Sequence, residues 1–357
     1  MKHLSLALIA VLAACPKSGD KKPTDPVPSK DAAGGHTLPR IDDADTAVQL
    51  PPAPALPAVP AGLPPPPALP GVTPDAVALG ELLFHDTRLS TTGKHACAIC
   101  HEPAHGYSGG TIDLTAAGKP NLRRAPALTN LAWVKELGWD GRYPSIADLL
   151  PAHIKGQLGQ PLQAGLAKVL ELPLYRAHLA RVGGDPQTAA IQALSAFVLT
   201  RYEGGSPWDA MENTARAPKP GVTPDPIVAG YVVFAGKGQC AVCHPPPLYT
   251  DGAYHVVVDN PSGDPGRGFV DKALIGAFRT PTLRGAVARA AFFHTGKHTT
   301  LDSVLSEYQK NSQSPGTFDP IVAKIQLTPQ DREHLRAFLT SLSATRAGPA
   351  PAAPALP

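Results

Sequence analysis

The sequence predicts a mostly α-helical protein built from two related domains. The segment Pro-Gly-Val-Thr-Pro-Asp occurs at residues 70–75 and again at 220–225, and a Cys-x-x-Cys-His motif follows each copy. In both copies threonine and proline occupy the positions that favour a helix N-cap and first helical residue, with aspartate in the first turn. Strand signals are sparse, and residues 254–258 are the best candidate. We therefore expect two helical domains related by internal duplication.

The similarity of the two halves extends beyond the repeated segment. Gly80 corresponds to Gly230 and Phe84 to Phe234. Loops rich in Pro, Gly and Asn join the predicted helices. We predict these helices at residues 74–84, 145–150, 186–202, 224–235, 300–308 and 329–342.

The two cysteine-histidine motifs indicate the chemistry. Residues 97–101 are Cys-Ala-Ile-Cys-His and residues 240–244 are Cys-Ala-Val-Cys-His, and C-x-x-C-H is the attachment signature of a c-type haem. Thiols three residues apart lie on one face of a helical turn and reach one porphyrin, and the following histidine can ligate its iron. We predict two covalently bound haem c groups, held by Cys97, Cys100 and the proximal ligand His101, and by Cys240, Cys243 and the proximal ligand His244.

Two other uses of paired cysteines explain the motifs less well. A zinc site can be built from two C-x-x-C units, and a redox dithiol needs only one. Neither use explains a histidine directly after the second cysteine in both copies. Each haem is expected to supply much of the core of its own domain.

The N-terminus has the pattern of a bacterial lipoprotein signal. A short basic start precedes an apolar run at residues 4–13, which is too short to span a bilayer as a helix. Leu-Ala-Ala-Cys at residues 12–15 resembles a lipobox, in which Cys15 would be lipidated. An ordinary cleaved signal with an incidental cysteine is the alternative. We expect a periplasmic lipoprotein that contacts the membrane only through its N-terminal lipid, since thioether attachment of haem also implies a compartment outside the cytoplasm.

Composition divides the remainder of the chain. The sequence has 357 residues and 42 prolines, and much of the proline excess precedes residue 73. The formal charge of +3 without a basic cluster gives no reason to expect a nucleic-acid partner. The predicted organisation is a signal peptide at 1–15, a disordered Pro/Ala-rich linker at 16–72, an N-terminal haem domain at 73–215, a C-terminal haem domain at 216–345 and a disordered tail at 346–357.

With both motifs assigned, the surrounding sequence resembles the bacterial di-haem cytochrome c peroxidase family, which includes MauG. The resemblance covers residues 73–342, and the motifs occur in the family's order. They are Leu-Gly-Glu-Leu-Leu-Phe-His-Asp-Thr-Arg-Leu-Ser at 79–90, Trp-Asp-Gly-Arg at 139–142, Ser-Pro-Trp-Asp at 206–209, Tyr-Thr-Asp-Gly at 249–252, Arg-Thr-Pro-Thr-Leu-Arg at 279–284 and Phe-Phe-His-Thr-Gly at 292–296.

The resemblance implies a division of labour between the two haems. The N-terminal haem would bind and reduce hydrogen peroxide, while the C-terminal haem collects electrons and passes them on. Trp139 matches the tryptophan between the haems and would lie on the electron path, although it could equally be a buried packing residue.

The resemblance also identifies a sixth ligand for the second haem. The family supplies it after the Phe-Phe-His-Thr-Gly segment, as methionine in the peroxidases and tyrosine in MauG, and the position here is Tyr308. The chain has only two methionines, Met1 and Met211. A phenolate is a harder donor than a thioether and favours oxidised iron. Tyr308 also continues an apolar stripe with Leu301 and Leu305, so a plain core role is the alternative.

The residues expected around the first haem depart from the family pattern. Peroxide cleavage needs a base, and the family uses a glutamate aided by a glutamine. Alignment from Trp139 puts Leu149 at the glutamine position and Gln163 near the glutamate position. An amide cannot act as that base. His153 could shuttle the proton instead, or could bind the first iron and close it. His105 is a second possible ligand.

The family's calcium site between the domains also looks degraded. Its asparagine falls at Arg124 and its proline carbonyl near Ala291. Arginine cannot ligate a cation, though its charge could replace one. We therefore expect no calcium requirement.

The expected function is reduction of hydrogen peroxide with electrons from a small periplasmic cytochrome or cupredoxin. One alternative is a MauG-like, peroxide-driven oxidase of a partner protein, which Tyr308 and the lost glutamate favour. Another is a non-enzymatic electron-transfer or redox-sensing lipoprotein with both irons closed.

Overall fold

Helices supply most of the regular structure in both halves of the chain. The protein is represented by a computed structural model, which describes residues 38–39, 41–42, 45, 47–110, 113–215, 224–314, 316–344 and 353–357. Its α-helices are α1 (Pro74–His85), α2 (Cys97–Cys100), α3 (Ile146–Leu158), α4 (Leu162–Val169), α5 (Pro173–Val182), α6 (Pro186–Leu199), α7 (Pro207–Ala215), α8 (Pro226–Ala235), α9 (Leu301–Asn311) and α10 (Pro329–Ser341).

The helix that precedes each haem motif begins with a capped proline. Thr73 caps α1 by accepting a hydrogen bond from the Ala76 backbone N–H at 3.1 Å, as the sequence predicts. In the second half Asp225 is the N-cap, accepting from the Ile227 N–H at 2.8 Å, and α8 begins at Pro226. This start is two residues later than predicted, because aspartate is at least as good a cap as threonine and a second proline follows it.

Each half has its own core with the same helix pairing. In the first half α1 packs against α6, and in the second half α8 packs against α10. A glycine makes each close approach. A Cβ added at Gly80 would lie 2.0 Å from the Ala193 carbonyl oxygen, and one added at Gly230 would lie 2.0 Å from the His334 carbonyl oxygen. The two halves therefore repeat one packing arrangement.

Helix α3 differs most from its sequence-based prediction. The predicted helix ended at residue 150, before Pro151, but α3 continues through this proline to Leu158. Proline removes one backbone donor and usually ends or kinks a helix. Here Leu150, Ile154 and Leu158 are buried on one face, and that burial outweighs the lost hydrogen bond. Helices α4, α5 and α7 were not predicted.

The predicted strand is confirmed in a shorter form. Strand β1 (Tyr254–His255) pairs antiparallel with β2 (Phe278–Arg279). The backbone N–H of Arg279 also donates to the Trp139 carbonyl at 2.8 Å. This small ribbon therefore fixes a segment of the C-terminal half beside Trp139 of the N-terminal half.

Part of the predicted linker is attached to the folded body. Residues 51–60 have no regular structure, in agreement with their proline content. Leu50 is nonetheless buried, and its carbonyl accepts from the Arg181 guanidinium at 3.0 Å. The Gly62 carbonyl accepts from Arg284 at 2.7 Å. Because these contacts tie the segment to both halves, the prediction of a disordered linker does not hold for residues 50–62.

The N-terminal predictions lie mostly beyond what the structure describes. The signal peptide, Cys15 and the first part of the linker all fall outside the described residues. Among the residues that are described, no helix has both the length and the apolar character needed to cross a membrane.

Candidate haem-binding sites

The first haem motif lies on the wall of a cavity in the N-terminal half. This cavity has a volume of 460 Å³ and is lined largely by apolar side chains. Cys97 and His101 lie on one side, because the short helix α2 begins at the first cysteine and ends before the histidine. His153 on α3 and Trp139 also line it.

The second haem motif lies on the wall of a separate cavity in the C-terminal half. Its volume is 160 Å³, and Cys240, Cys243 and His244 line it together with Tyr308. Since the two cysteine pairs belong to different cavities, they do not form a four-cysteine zinc site.

Burial also acts on three of the motif thiols. It raises the pKa of Cys97 and of Cys240 to about 12, and that of Cys100 to about 11. As free thiols these three side chains are therefore protonated near neutral pH.

Both proximal histidines are oriented in the same way. His101 bonds through Nδ1 to the Tyr107 carbonyl at 3.1 Å, and His244 bonds through Nδ1 to the Tyr249 carbonyl at 2.9 Å. These contacts assign the proton to Nδ1 and leave Nε2 with its lone pair for a metal. Burial lowers the pKa of each histidine to about 4, so both rings are neutral at pH 7.

The carbonyl partners were not identified from the sequence. Tyr107 and Tyr249 have positive φ angles of 54° and 53°, which are uncommon for residues other than glycine. Tyr107 follows His101 by six residues and Tyr249 follows His244 by five, and a tyrosine at such similar distances after both motifs could have revealed them. The apolar cavities, paired cysteines and oriented histidines fit two haem groups.

His153 lies opposite the first proximal histidine. The centroids of the His101 and His153 rings are 6.3 Å apart. A ligating imidazole nitrogen lies about 2 Å from its metal and its ring centroid about 1 Å further, so two axial imidazoles on one iron have centroids roughly 6 Å apart. Burial lowers the pKa of His153. At this separation His101 and His153 could both serve as ligands of a haem iron held in this cavity.

The other predicted residues near the first haem are arranged differently. Leu149 lines the cavity, as does Gln157, which the sequence analysis missed. The amide of Gln157 donates to Asn121 at 2.7 Å and accepts from it at 3.0 Å. Gln163 lies on the next helix, α4, and does not belong to this lining. His105 lies 3.0 Å from a Glu102 carboxylate oxygen instead.

Trp139 lies between the two sites. It is buried and lines both cavities. Its indole N–H donates to the Arg124 carbonyl at 2.9 Å, and the Arg124 guanidinium lies 5.2 Å from the centre of its ring. Trp139 is therefore shared by the walls of both cavities.

Tyr308 lines the second cavity from helix α9. Thr300 is the N-cap of this helix and accepts a hydrogen bond from the Ser303 N–H at 3.1 Å. The Tyr308 ring packs 5.8 Å from that of Phe293 and contacts the C-terminal core. Burial raises the pKa of its phenol. The side chain is therefore both a packing residue and a member of the His244 cavity.

The fold and the sites define a mostly helical protein with two haem-type cavities joined at a tryptophan. The family described as di-haem cytochrome c peroxidase matches residues 74–216. The chain is 30% identical to the methylamine utilization protein MauG of Methylorubrum extorquens over 284 residues, covering 76% of this chain and 79% of the relative. It is 25% identical to the cytochrome c551 peroxidase of Nitrosomonas europaea, covering 66% and 73%.

Solved structures share the fold. A MauG-like protein associated with microbial copper homeostasis superposes with a TM-score of 0.70 and 22% identity, over 80% of this chain and 95% of the other. The diheme peroxidase BthA from Burkholderia thailandensis gives a TM-score of 0.58 at 20% identity, over 85% and 100%. The sequence relatives confirm the resemblance: this chain belongs to the di-haem cytochrome c peroxidase family that includes MauG.

Proposed function

We propose that this chain is a di-haem c-type oxidoreductase that reduces hydrogen peroxide with electrons from a small donor cytochrome or cupredoxin. The observation that carries the proposal is the pair of cavities that share Trp139, each with a cysteine-histidine motif on its wall. The family's peroxidases act on peroxide, which supports the same reaction here.

The attachment residues follow from the motifs. Thioether bonds to the four cysteines would hold the haems, and the two oriented histidines would be the proximal ligands. When bound, the haem iron supplies the redox chemistry. The protein's own contribution is to hold each imidazole in one tautomer and to keep Trp139 in contact with both sites. The attachment residues are Cys97 and Cys100 for the first haem and Cys240 and Cys243 for the second.

Tyr308 is the proposed sixth ligand of the second haem. Its position in the cavity of His244 supports this role, and a phenolate would lower the potential of that haem. The same feature favours a MauG-like reaction, in which peroxide drives oxidation of a partner protein rather than of a donor cytochrome.

His153 favours a second candidate function. Its ring is at the separation from His101 that suits two axial ligands. If His153 ligates the first iron permanently, no coordination position remains for peroxide. The protein would then be an electron carrier or redox sensor. If His153 leaves the iron, its imidazole can act as the proton shuttle that Gln163 cannot provide.

The location is proposed from the sequence. A periplasmic lipoprotein anchored through Cys15 agrees with covalent haem attachment. Labelling with a lipid precursor, compared between the native chain and Cys15→Ser, tests the anchor, and equal labelling of both would refute it.

Two measurements test the proposed reaction. Pyridine haemochrome analysis and intact mass should give two covalent haems per chain. Steady-state peroxide consumption with a reduced cytochrome should then proceed catalytically. Two haems without peroxide consumption, and without a change in the resting spectrum on adding peroxide, would favour the carrier. Peroxide consumption that instead changes the mass of a partner protein would favour the MauG-like reaction.

A further inference from the structure

Three arginines lie where the two haem-type cavities meet. Arg279 lines both the N-terminal and the C-terminal cavity. Arg124 lines the C-terminal cavity and a smaller cavity of 100 Å³ beside His101, and Arg289 lines the C-terminal cavity. All three also line a further cavity of 460 Å³ beside Trp139. The side chains of Arg124 and Arg289 are buried, with 2% and 6% exposure. Positive charge is therefore concentrated between the two sites.

This charge has no carboxylate partner in the described part of the chain. None of the three arginines takes part in an ion pair there, and their hydrogen bonds run to uncharged oxygens. The acceptors are the Phe293 carbonyl at 2.6 Å and Ser108 Oγ at 2.5 Å for Arg124, the Gly138 carbonyl at 3.3 Å for Arg279, and the Thr282 and Arg284 carbonyls at 2.8 and 3.0 Å for Arg289.

Arg123, the residue before Arg124, is paired with carboxylates and provides a comparison. Arg123 donates to Asp140 at 2.6 Å and to Asp264 at 2.6 and 2.7 Å. Those contacts raise its pKa despite burial. Burial instead lowers the pKa of Arg124 to about 9 and that of Arg289 to about 10. Arg123 therefore has carboxylate partners in the described part of the chain, whereas Arg124 and Arg289 do not.

An unpaired buried guanidinium is costly. Removing a single ion from water is strongly unfavourable, even after the surrounding protein relaxes. Arginine cannot escape this cost by losing its proton in a protein. Asp113 and Glu203 act on Arg124 and Arg289 only through longer-range charge. The cluster therefore requires anions from outside the polypeptide.

We propose that Arg124, Arg279 and Arg289 form a binding site for the propionate carboxylates of the two haems. This inference rests on the two-haem assignment of the proposed function. A guanidinium fork matches a carboxylate in a bidentate geometry. A haem held in either cavity brings carboxylates as part of its own structure, and the cluster borders both cavities.

The proposal has two physical consequences. Positive charge beside a haem favours the reduced iron, because the reduced centre carries one positive charge fewer. The cluster should therefore raise the reduction potentials of both haems. The cluster also places positive charge between the two sites, as a bound divalent cation would. Neither reduction potential should therefore depend on calcium.

The test measures the reduction midpoint of each haem in the full-length holoprotein by spectroelectrochemistry. The variants are Arg289→Met and Arg124→Gln, which remove charge, and Arg289→Lys, which keeps it. Arg336→Gln is the control, because Arg336 is an exposed residue on α10 paired with Asp302. Haem content by pyridine haemochrome is determined first, so that failure of the two-haem assignment is recognised separately.

The expected result is a lower midpoint in both charge-removing variants. The shift should reach a ten-fold change in the reduction equilibrium, or about 59 mV for one electron, in at least one haem. Arg336→Gln and treatment of the native protein with EDTA should leave the midpoints unchanged, and Arg289→Lys, which keeps the charge but not the fork, should shift them less than Arg289→Met. Loss of haem from Arg289→Met but not from Arg289→Lys would also support the proposal.

Three results would overturn it. The first is unchanged midpoints in the charge-removing variants with two haems bound. The second is an equal shift in Arg289→Met and Arg289→Lys, since that would make shape rather than charge responsible. The third is a native midpoint that changes when chloride in the buffer is replaced by phosphate, since a free anion would then be the ligand.

Discussion

The N-terminal and C-terminal halves share their proximal side and differ on the opposite side. In both halves a glycine-containing helix precedes the motif, and the motif histidine bonds through Nδ1 to a tyrosine carbonyl. Opposite His101 lies His153 on α3, whereas Tyr308 on α9 lines the cavity of His244.

This difference identifies the part of each half in which residues can change without altering the shared helix packing. The helix packing and the proximal contact depend on close backbone approach, which tolerates few substitutions. The opposite side is built by a helix from elsewhere in the chain, so a single residue on that helix changes the iron's environment. The two halves therefore keep one frame and differ in the residue on the opposite side, His153 in one and Tyr308 in the other.

Loss of one attachment site tests whether the halves bind haem independently. Cys97→Ser with Cys100→Ser should reduce the covalent haem content from two to one, because the two pairs of thiols line separate cavities. Intact mass and pyridine haemochrome measure this. The matched variant, Cys240→Ser with Cys243→Ser, should give the same stoichiometry but retain the other haem's spectrum. Loss of both haems from either variant would contradict independent sites.

Substitution of His153 and of Tyr308 tests the difference between the two halves on the side opposite the proximal histidines. His153→Ala should convert the first haem from low spin to high spin, and Tyr308→Phe should change only the second haem's spectrum. Absorption and electron paramagnetic resonance spectra distinguish the two. Gln163→Ala is the control and should alter neither haem. A native first haem that is already high spin, and stays so in His153→Ala, would refute ligation by His153.

The buried carboxylates should differ in their contribution to stability. Asp209 pairs with Arg284 at 2.8 Å, and both side chains are at most 1% exposed. Asp209→Asn leaves that guanidinium without its partner and should cost about 3–5 kcal/mol in free energy of unfolding. Asp86→Asn should cost less, because the Arg88 side chain that pairs with Asp86 is 32% exposed. Urea unfolding of both variants provides the comparison.

The loss of stability at low pH should depend on the same two ion pairs, Asp209 with Arg284 and Asp86 with Arg88. Burial alone would raise the pKa of Asp209 and of Asp86, but hydrogen bonds from Arg284 and Arg88 hold both below the ordinary value of 3.8. The stabilisation is therefore complete above pH 3.8 and is lost as the pH falls through the lowered pKa values. Unfolding free energies measured from pH 6 to pH 2 should decline less in Asp209→Asn. A parallel decline would contradict this assignment.

The two glycine contacts should behave alike. Gly80→Ala and Gly230→Ala each place a Cβ 2.0 Å from a carbonyl oxygen of the partner helix, so we expect a loss of about 1–3 kcal/mol from overpacking. Gly156→Ala is the control, because nothing lies within 4 Å of its added Cβ. It should be neutral or stabilise α3 by up to about 1 kcal/mol through helix propensity. Thermal unfolding measures all three, and equal midpoints would show that the glycines are not required.

Sequence patterns predicted the local features well. The starts of α1, α9 and α10 were predicted because caps and prolines act within one turn. The end of α3 was not, because the burial that carries this helix past Pro151 comes from other parts of the chain. The contacts of residues 50–62 were missed for the same reason, since composition describes a segment and not its neighbours.

The sequence by itself determined the two cysteine-histidine motifs, the family and the helical frame, because each depends on residues adjacent in the chain. Only the tertiary structure decided which distant residues share a site. It brought Trp139 to both cavities, His153 to within 6.3 Å of His101, and Arg124, Arg279 and Arg289 to one cluster. The physical reason is that an unpaired buried charge and the distance between two possible ligands both depend on how the interior packs. The spacing of residues along the chain does not specify either of them.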